Sequence, residues 1–400
     1  TCALPIFSQV QLANDRVDEA LNWALEAYRR SPSLDSAINL VVVRFRKLET
    51  SPQSIRAEEL LQQVSAVQAA MPYEPRTLPI QVALLARTGQ REQAIALVRE
   101  ALSFNPAPDA MTLLQLANVS RAEQLGLQQQ IYDAAGPTHR SPMLVLGQAG
   151  DLAASGKVDE GLTLLRGAAD RAGGGVRWDM AIAQYLEHAA HPDAASAWIA
   201  LGDRYAGDLE VQRLILAEAQ SPRADRAFQA RTIDRLRELT GGHGQQWRLE
   251  RAKWLLANRR YEDSAAAVSL LTEIVQRGMI QPRIYLARAL EQTGNVSTAI
   301  EHLKTASDRD PRDPRPVLEL ARILRDRGTL DDVRRYLVRL ARDGVLSNED
   351  RLAVASLLVG LGEPQRAIDL LAGAELNGAN DPAGRVLLAD LYRRRGQYNL

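Results

Sequence analysis

Two histidines one helical turn apart are the strongest candidates for metal chemistry in this sequence. His188 and His191 occur in the stretch EHAAHPD, with Glu187 and Asp193 beside them. Two neutral imidazoles at this spacing can share a zinc ion, but the spacing fixes no third ligand. Pro192 stops a helix, and histidines near a helix carboxyl terminus complement its carbonyl groups. We therefore interpret the pair as a helix end and expect no metal site.

The sequence lacks the short motifs of the common catalytic sites. It contains no Gly-x-Ser-x-Gly elbow, no phosphate loop ending in Gly-Lys-Ser/Thr and no His-Glu-x-x-His zinc motif. The glycine run at 173–175 lacks the strand that precedes a dinucleotide fingerprint, so we interpret it as a linker. We expect no catalytic residue and no cofactor, and predict that the protein is not an enzyme.

Aromatic side chains that stack on bases would suit a nucleic-acid partner, and the chain has five tryptophans. They are Trp23, Trp178, Trp198, Trp247 and Trp254. Each lies in a helical context with apolar neighbours three or four residues away, which is typical of core packing. The 49 basic residues are balanced by 49 acidic ones, so the chain carries no basic footprint. We expect no nucleic-acid partner.

The first six residues are foreign in appearance. Thr-Cys-Ala-Leu-Pro-Ile is the translation of a common sequencing-adapter end, so we interpret residues 1–6 as an artefact. They include Cys2, the single cysteine of the chain, and the native stretch from Phe7 onward then has no thiol for disulfides, zinc or nucleophilic attack. The scarcity of lysine relative to arginine is typical of a GC-rich genome. We expect a bacterial protein of the periplasm, the cell envelope or the cytoplasm.

Helical periodicity runs through almost the whole chain, without convincing strand alternation. Aromatic residues make up only 5% of the sequence, which suits closely packed helices better than sheets. No apolar run approaches the ~20 residues of a membrane-spanning helix. The sequence predicts an all-α fold with no membrane insertion in the visible part.

A 34-residue repeat organises the carboxyl-terminal part of the chain. Its clearest copy reads IYLARALEQTGNVSTAIEHLKTASDRDP, in which Gly294 ends one helix and Pro311 stops the next. Small residues at Ala287 and Ala299 allow the two helices to approach closely. The in-register glycines that define the period are Gly294, Gly328, Gly362 and Gly396.

The same template recurs upstream with looser turns. One copy has Gly89 at its turn and ends at Pro106, and in another Gly156 is followed by Gly161 where the clearest copy has a small residue. Another copy has Asp15 in place of the glycine, and a further one has the turn Asn258-Arg259-Arg260. These copies extend the helix-turn-helix pattern toward the amino terminus.

This pattern resembles the tetratricopeptide repeat (TPR) family, strongly over 245–400 and well over 82–106. The sequence departs from that family where Gly328 is followed by large apolar residues. The large aromatic residue expected early in each first helix is replaced by Arg283, Val317 and Arg351. The resemblance implies a right-handed α-solenoid of antiparallel helix-turn-helix repeats. It also implies a concave face lined by the first helix of each pair.

We predict an amino-terminal array over 7–172 and a carboxyl-terminal array over 245–400. Residues 173–244 fit no 34-residue frame, so they are interpreted either as an irregular helical linker or as degenerate repeats. The chain stops at RRRGQYNL, inside a repeat and without a polar cap. The sequence is therefore expected to be a fragment of a longer protein, cut at both ends.

The resemblance implies a non-catalytic scaffold that binds a peptide or protein partner on the concave face. Three alternatives stay open at this point. The repeats could recruit substrate for a catalytic domain outside the fragment, or form an envelope subunit for polysaccharide export or secretion. An RNA-binding helical repeat is the third, but Arg288, Arg322, Ser356 and Asp390 share one offset without the regularity of a base code.

Arginines recur at equivalent positions of the predicted first helices and are the candidate partner-binding residues. Arg288 and Arg322 share one offset, and Arg325 and Arg393 share another three residues further on, where Glu291 also occurs. Residues three apart share a helix face, so the four arginines predict a ladder that would select an acidic partner. The alternative, which we favour, is a solvated face of ion pairs within single helices, Arg288 with Glu291 and Arg322 with Asp326.

Overall fold

A computed structural model describes residues 3–13, 17–50, 55–104, 108–135, 141–275, 280–327, 329–343, 346–375 and 382–394. Over these residues the chain forms 23 α-helices, two short 3-10 helices and no strand, which confirms the predicted all-α fold. The positions Thr1, Cys2, Asp15, Pro106, Gly328 and Gly396 discussed above lie outside the described residues.

The α-helices follow one another along the chain with short connections. They are α1 Ala3–Ala13, α2 Val17–Arg30, α3 Leu34–Thr50, α4 Ala57–Ala70, α5 Leu78–Arg87, α6 Arg91–Leu102, α7 Ala110–Ala122, α8 Gln128–Ala134, α9 Pro142–Ala154, α10 Val158–Arg171, α11 Val176–His188, α12 Ala194–Arg204, α13 Leu209–Glu218, α14 Arg226–Thr240, α15 Gln245–Leu256, α16 Tyr261–Val275, α17 Ile280–Gln292, α18 Val296–Arg309, α19 Pro314–Asp326, α20 Arg334–Asp343, α21 Asn348–Gly360, α22 Pro364–Glu375 and α23 Pro382–Arg394. The 3-10 helices are Ser221–Ala224 and Leu330–Val333.

The chain divides into two compact units, residues 1–201 and 202–400, and the division falls within α12. In the first unit, apolar side chains form local cores, one between α2 and α3, one from α3 to α9 and one from α9 to α12. In the second unit a continuous core runs from α15 to α23. Each core joins helices that are close in sequence, as expected of stacked repeats.

The period of the second unit is visible in its helix boundaries. The helices α17, α19, α21 and α23 begin 34 residues apart, at Ile280, Pro314, Asn348 and Pro382. We call these helices, together with α15, the first helices of their pairs. In the pair α17–α18, Ala287 and Ala299 are both fully buried, so the predicted helix phase is confirmed.

The predicted glycines end the first helices in the left-handed region. Gly294 has a φ of 85°, and the next amide, that of Asn295, donates to the carbonyl of Leu290 at 2.7 Å. This six-to-one hydrogen bond closes the helix. Gly89, Gly156 and Gly362 have the same backbone conformation, with φ between 73° and 80°.

The helix pairs also continue through residues 173–244. Helices α9, α11, α13, α15 and α17 begin at residues 142, 176, 209, 245 and 280, so the period stays near 34. The α11–α12 turn has Ala190 at a φ of 50° in place of a glycine, and the amide of His191 still donates to the carbonyl of Leu186 at 2.9 Å. The turn residue is no longer glycine, although the backbone conformation of the turn is the same. A pattern defined by glycines is therefore not visible in this segment. The predicted domain boundaries stay a prediction.

Candidate partner-binding face

Two adjoining clefts lie in the second unit, on the side formed by its first helices. The larger one, about 690 Å³, is lined by α15, the turn after it, α17 and α19, and we call it the first-helix cleft. The smaller one, about 400 Å³, is bounded by α13, α14, α15 and Tyr285 of α17, and we call it the α13–α14 cleft. Both are lined by Lys253, Ala257 and Tyr285, so together they form one groove.

An ion-pair network crosses the floor of the first-helix cleft. Arg288 on α17 donates from Nε and Nη2 to the two carboxylate oxygens of Glu319 on α19, each at 3.0 Å. Arg322 on α19 donates back to both oxygens of Glu291 on α17, and to Oε1 of Glu319 at 2.9 Å. Bidentate arginine–carboxylate pairs fix geometry as well as charge, so this network holds two adjacent first helices in register.

The network sets the ionisation of its members. Burial of Glu319 opposes its charge, but the hydrogen bonds and charges of Arg288 and Arg322 outweigh burial and lower the pKa of this carboxyl. The pKa of Arg322 is raised, chiefly by its hydrogen bond to Glu291, although desolvation acts against this shift. The contacts of the network therefore favour the charged forms of Glu319 and Arg322.

Aromatic rings connect this charged floor to the α13–α14 cleft. Tyr285 lies between Lys253, whose Nζ is 5.4 Å from the ring centroid, and Arg288, whose Cζ is 5.3 Å from it. Trp254 is held by Arg226, whose Cζ lies 4.3 Å from the indole centroid. Cations at such distances are attracted to the faces of aromatic rings, and these contacts hold both rings in place.

The structure brings together two of the four predicted arginines. Arg288 and Arg322 both line the first-helix cleft. Arg325 is exposed at the end of α19, and Arg393 lies on α23 with Asp390 at 2.5 Å; neither lines one of the two clefts. Their role as partner-binding residues stays a prediction.

The predicted ion pair of Arg288 with Glu291 is wrong in its partner, and the predicted pair of Arg322 with Asp326 stays a prediction. Arg288 pairs with Glu319 instead of Glu291, and Glu291 pairs with Arg322 of the neighbouring first helix. The side chain of Asp326 lies outside the described residues. The reason is that α17 and α19 pack side by side, so a carboxylate of the neighbouring first helix lies within reach of each arginine, while Arg322 also contacts Glu319 of its own helix. The position of Glu319, 34 residues after Tyr285 and three before Arg322, is the feature of the sequence that indicates this pairing.

The histidine pair forms a helix end. His188 is the last residue of α11, and its Nδ1 lies 2.7 Å from the carbonyl oxygen of Gln184. His191 accepts a hydrogen bond from the amide of Asp193 at 3.1 Å, while Glu187 accepts one from Nε1 of Trp198 at 2.8 Å. In the described part of the chain, no group of three or more histidine, cysteine or acidic side chains could hold a metal ion.

The tryptophans differ in their surroundings. Trp178 and Trp198 are buried, as predicted for core residues, and Trp247 and Trp254 are partly buried. The core prediction is wrong for Trp23, which is 39% exposed and lies beside Phe7 with 5.7 Å between ring centroids. None of the described helices is long and apolar enough to cross a membrane.

Comparisons with known proteins give likenesses of fold. No family model matches this chain, and no curated protein matches it. Yeast Tom70 is similar at 14% identity and a TM-score of 0.47, over 99% of this chain and 88% of that one. A tetratricopeptide repeat protein from Parabacteroides merdae ATCC 43184 is similar at 12% identity and 0.43, over 63% and 98%. The APC/C hetero-tetramer Cut9-Hcn1 is similar at 11% identity and 0.34, over 98% and 90%.

One of these three neighbours is named a tetratricopeptide repeat protein, and all three likenesses have TM-scores below 0.5. Antiparallel helix pairs with a 34-residue period and left-handed turn glycines are features of this chain itself. Over the described residues the chain is an all-α protein built of repeated helix pairs.

Proposed function

We propose that this protein is a non-catalytic interaction scaffold, and that an extended segment of a partner protein lies along its first-helix cleft. The observation that carries the proposal is the continuous groove across α15, α17 and α19, since one groove over successive repeats suits an extended chain. Its floor is already held by the pairs of Arg288 and Arg322, so binding would require little ordering of the protein.

The charges of the groove favour an acidic partner. Four basic and two acidic side chains line the first-helix cleft. Glu291 and Glu319 are occupied by Arg288 and Arg322, whereas Arg259 is exposed, and among the described residues nothing engages its guanidinium. An acidic segment would find its electrostatic complement there, with the planar donor fork of arginine suited to a carboxylate.

The proposal can be tested with a library of random short peptides displayed on phage and selected on the immobilised protein. We expect the selected peptides to be rich in Asp and Glu and to bind more weakly as salt is added. The blocking variant is Ala257→Glu, because Ala257 is exposed and lines both clefts. The matched control is Ala266→Glu, an exposed alanine of the second helix α16 that lines neither cleft.

Ala257→Glu should abolish binding of the selected peptides, and Ala266→Glu should leave it unchanged. Peptides that bind both variants equally well would exclude the first-helix cleft as the binding surface. Failure to select any peptide would argue against an extended ligand. Selected peptides without acidic enrichment would leave the groove in place and overturn the acidic partner.

A further inference from the structure

The α13–α14 cleft has an apolar floor. Ile215 of α13 and Phe228 and Ile233 of α14 line it, and all three are almost completely buried. Trp254 of α15 forms one wall. A volume of about 400 Å³ lies within the range of small-ligand pockets and is enough for one large side chain.

The tryptophan wall is fixed by the helix next to it. Nε1 of Trp254 donates to the carbonyl oxygen of Arg226 at 3.3 Å, and Nη2 of Arg226 donates to the carbonyl oxygen of Trp254 at 3.1 Å. The guanidinium of Arg251 lies over the same indole, with Cζ 4.9 Å from the centroid. These reciprocal contacts join α14 to α15, so the cleft is formed before any ligand arrives.

One cation at the mouth of the cleft is open to a ligand. Arg223 lies in the 3-10 helix Ser221–Ala224 and is exposed, and within the described ranges no hydrogen bond or ion pair engages its side chain. The other cation of the lining, Lys253, is already paired with Glu250 at 2.7 Å. The cleft therefore combines a preformed apolar floor with one available arginine at its edge.

We propose that the α13–α14 cleft is an anchor pocket for one aromatic or large aliphatic side chain whose adjacent carboxylate binds Arg223. This inference rests on the proposed function, because the anchor would belong to the acidic segment that lies along the first-helix cleft. The two clefts share Lys253, Ala257 and Tyr285, so one continuous segment reaches both. The ligand class is an acidic segment with an apolar residue next to Asp or Glu.

The pocket can be tested without knowing the partner, using 3-phenylpropionate as the probe and 3-phenylpropylamine as its cationic counterpart. The readout is 19F NMR of the full chain labelled with 5-fluorotryptophan, in which Trp254→Phe identifies the resonance of Trp254. We expect 3-phenylpropionate to shift that resonance saturably at low salt. The amine should bind several-fold more weakly, because Arg223 repels it.

Three variants separate the parts of the pocket. Gln229→Phe fills the cleft from a half-buried position that lies outside the first-helix cleft, and should abolish the shift. Arg223→Gln should weaken 3-phenylpropionate several-fold and remove its advantage over the amine. Arg213→Gln, at an exposed position of α13 that does not line the cleft, should change nothing.

An unshifted Trp254 resonance, or a shift that survives Gln229→Phe, would overturn the pocket. Equal binding of the two probes would overturn the role of Arg223. These failures are separable from failure of the proposed function. If Ala257→Glu blocks the selected peptides and Gln229→Phe does not, the first-helix cleft binds the segment and the α13–α14 cleft is not its anchor pocket. If 3-phenylpropionate binds but no peptide is selected, the pocket is supported and the extended segment in the first-helix cleft is not.

Discussion

Gly161 lies in α10, where the side chain of Tyr185 from α11 packs against it. Tyr185 is buried, and its hydroxyl donates to the carbonyl oxygen of Val158 at 2.7 Å. A Cβ atom added at Gly161 would lie 2.9 Å from the carbonyl oxygen of Ala149 and 2.9 Å from Cζ of Tyr185. The sequence predicted a small residue at this offset of the repeat. It could not predict that alanine is already too large, because the obstacles are the backbone of α9 and a side chain from the next helix pair.

Replacing Gly161 with alanine should therefore destabilise the first unit by about 1–3 kcal/mol, the usual cost of overpacking. The control is Gly167→Ala in the same helix, where the nearest atom to an added Cβ is the flexible end of Arg171 at 3.4 Å. That change should stabilise the helix by roughly 0.5–1 kcal/mol, as alanine does in a helix interior. Urea-unfolding midpoints measure both effects, and a shift in the same direction for the two variants would contradict this packing.

Arg283 shows a limit of sequence reasoning at the residue scale. In the sequence it is only a departure from the aromatic residue that the repeat pattern favours. In the structure it is buried, and Nη1 lies 3.1 Å from Nδ1 of His302 on α18. Burial first, and then the charge of Arg283, lower the pKa of His302, so the imidazole stays neutral and can accept this hydrogen bond. The pairing depends on the α17–α18 contact, which is not encoded in either residue alone.

At the scale of elements, the turns were predictable where the sequence uses glycine. Gly89, Gly156, Gly294 and Gly362 all have positive φ. The turns α7–α8, α11–α12 and α15–α16 instead place Gln124, Ala190 and Arg259 in the left-handed region, with φ from 50° to 53°. Few residues other than glycine adopt this conformation, so a search for glycines misses such turns.

Arg259→Gly should stabilise the α15–α16 pair by about 0.5–1 kcal/mol. The left-handed region costs other residues about 1–2 kcal/mol, and part of that gain is offset by the conformational entropy of glycine. The reciprocal variant, Gly294→Ala, should destabilise α17–α18 by about 1 kcal/mol, since an added Cβ would meet nothing within 4 Å and only the backbone is strained. Thermal melting of the two variants should shift in opposite directions; parallel shifts would refute the strain at Arg259.

The sequence predicted which helix face carries the candidate site, but it did not predict the contacts that the side chains of this site make. Offsets of 34 residues placed Arg288 and Arg322 on equivalent faces, and both line the first-helix cleft. Each arginine has a carboxylate partner 31 residues away in sequence, across the α17–α19 packing, which a pattern of neighbours within one helix does not predict; Arg322 also bonds Glu319 three residues before it. The sequence did not predict the α13–α14 cleft, because α13 and α14 lie in segment 173–244, where the repeat pattern is not recognisable.

At the scale of the molecule, periodicity predicted the fold class, while the division of the chain needed the structure. The 34-residue period predicted antiparallel helix pairs, and the described helices from α9 onward follow it closely. The compact units divide within α12, inside the segment 173–244 that the sequence left undecided. Local cores explain why a degenerate stretch can keep the same architecture, since each helix pair needs complementary surfaces only on its neighbours.

Because each core is local, a destabilising substitution in one core should leave the other cores unaffected. Ala299 is fully buried where α17 and α18 pack, within the core that runs from α15 to α23. Ala299→Leu should overpack this contact and destabilise these helices by about 1–3 kcal/mol. Hydrogen exchange in peptides from α17 to α19 should therefore accelerate ~5- to 150-fold. Helices α4–α6 belong to another core and should keep their protection. Glu301→Leu, at an exposed position of the same helix, is the control and should leave both regions unchanged. Faster exchange in α4–α6, or equal effects of the two substitutions, would show that stability in this chain is not summed over local helix contacts.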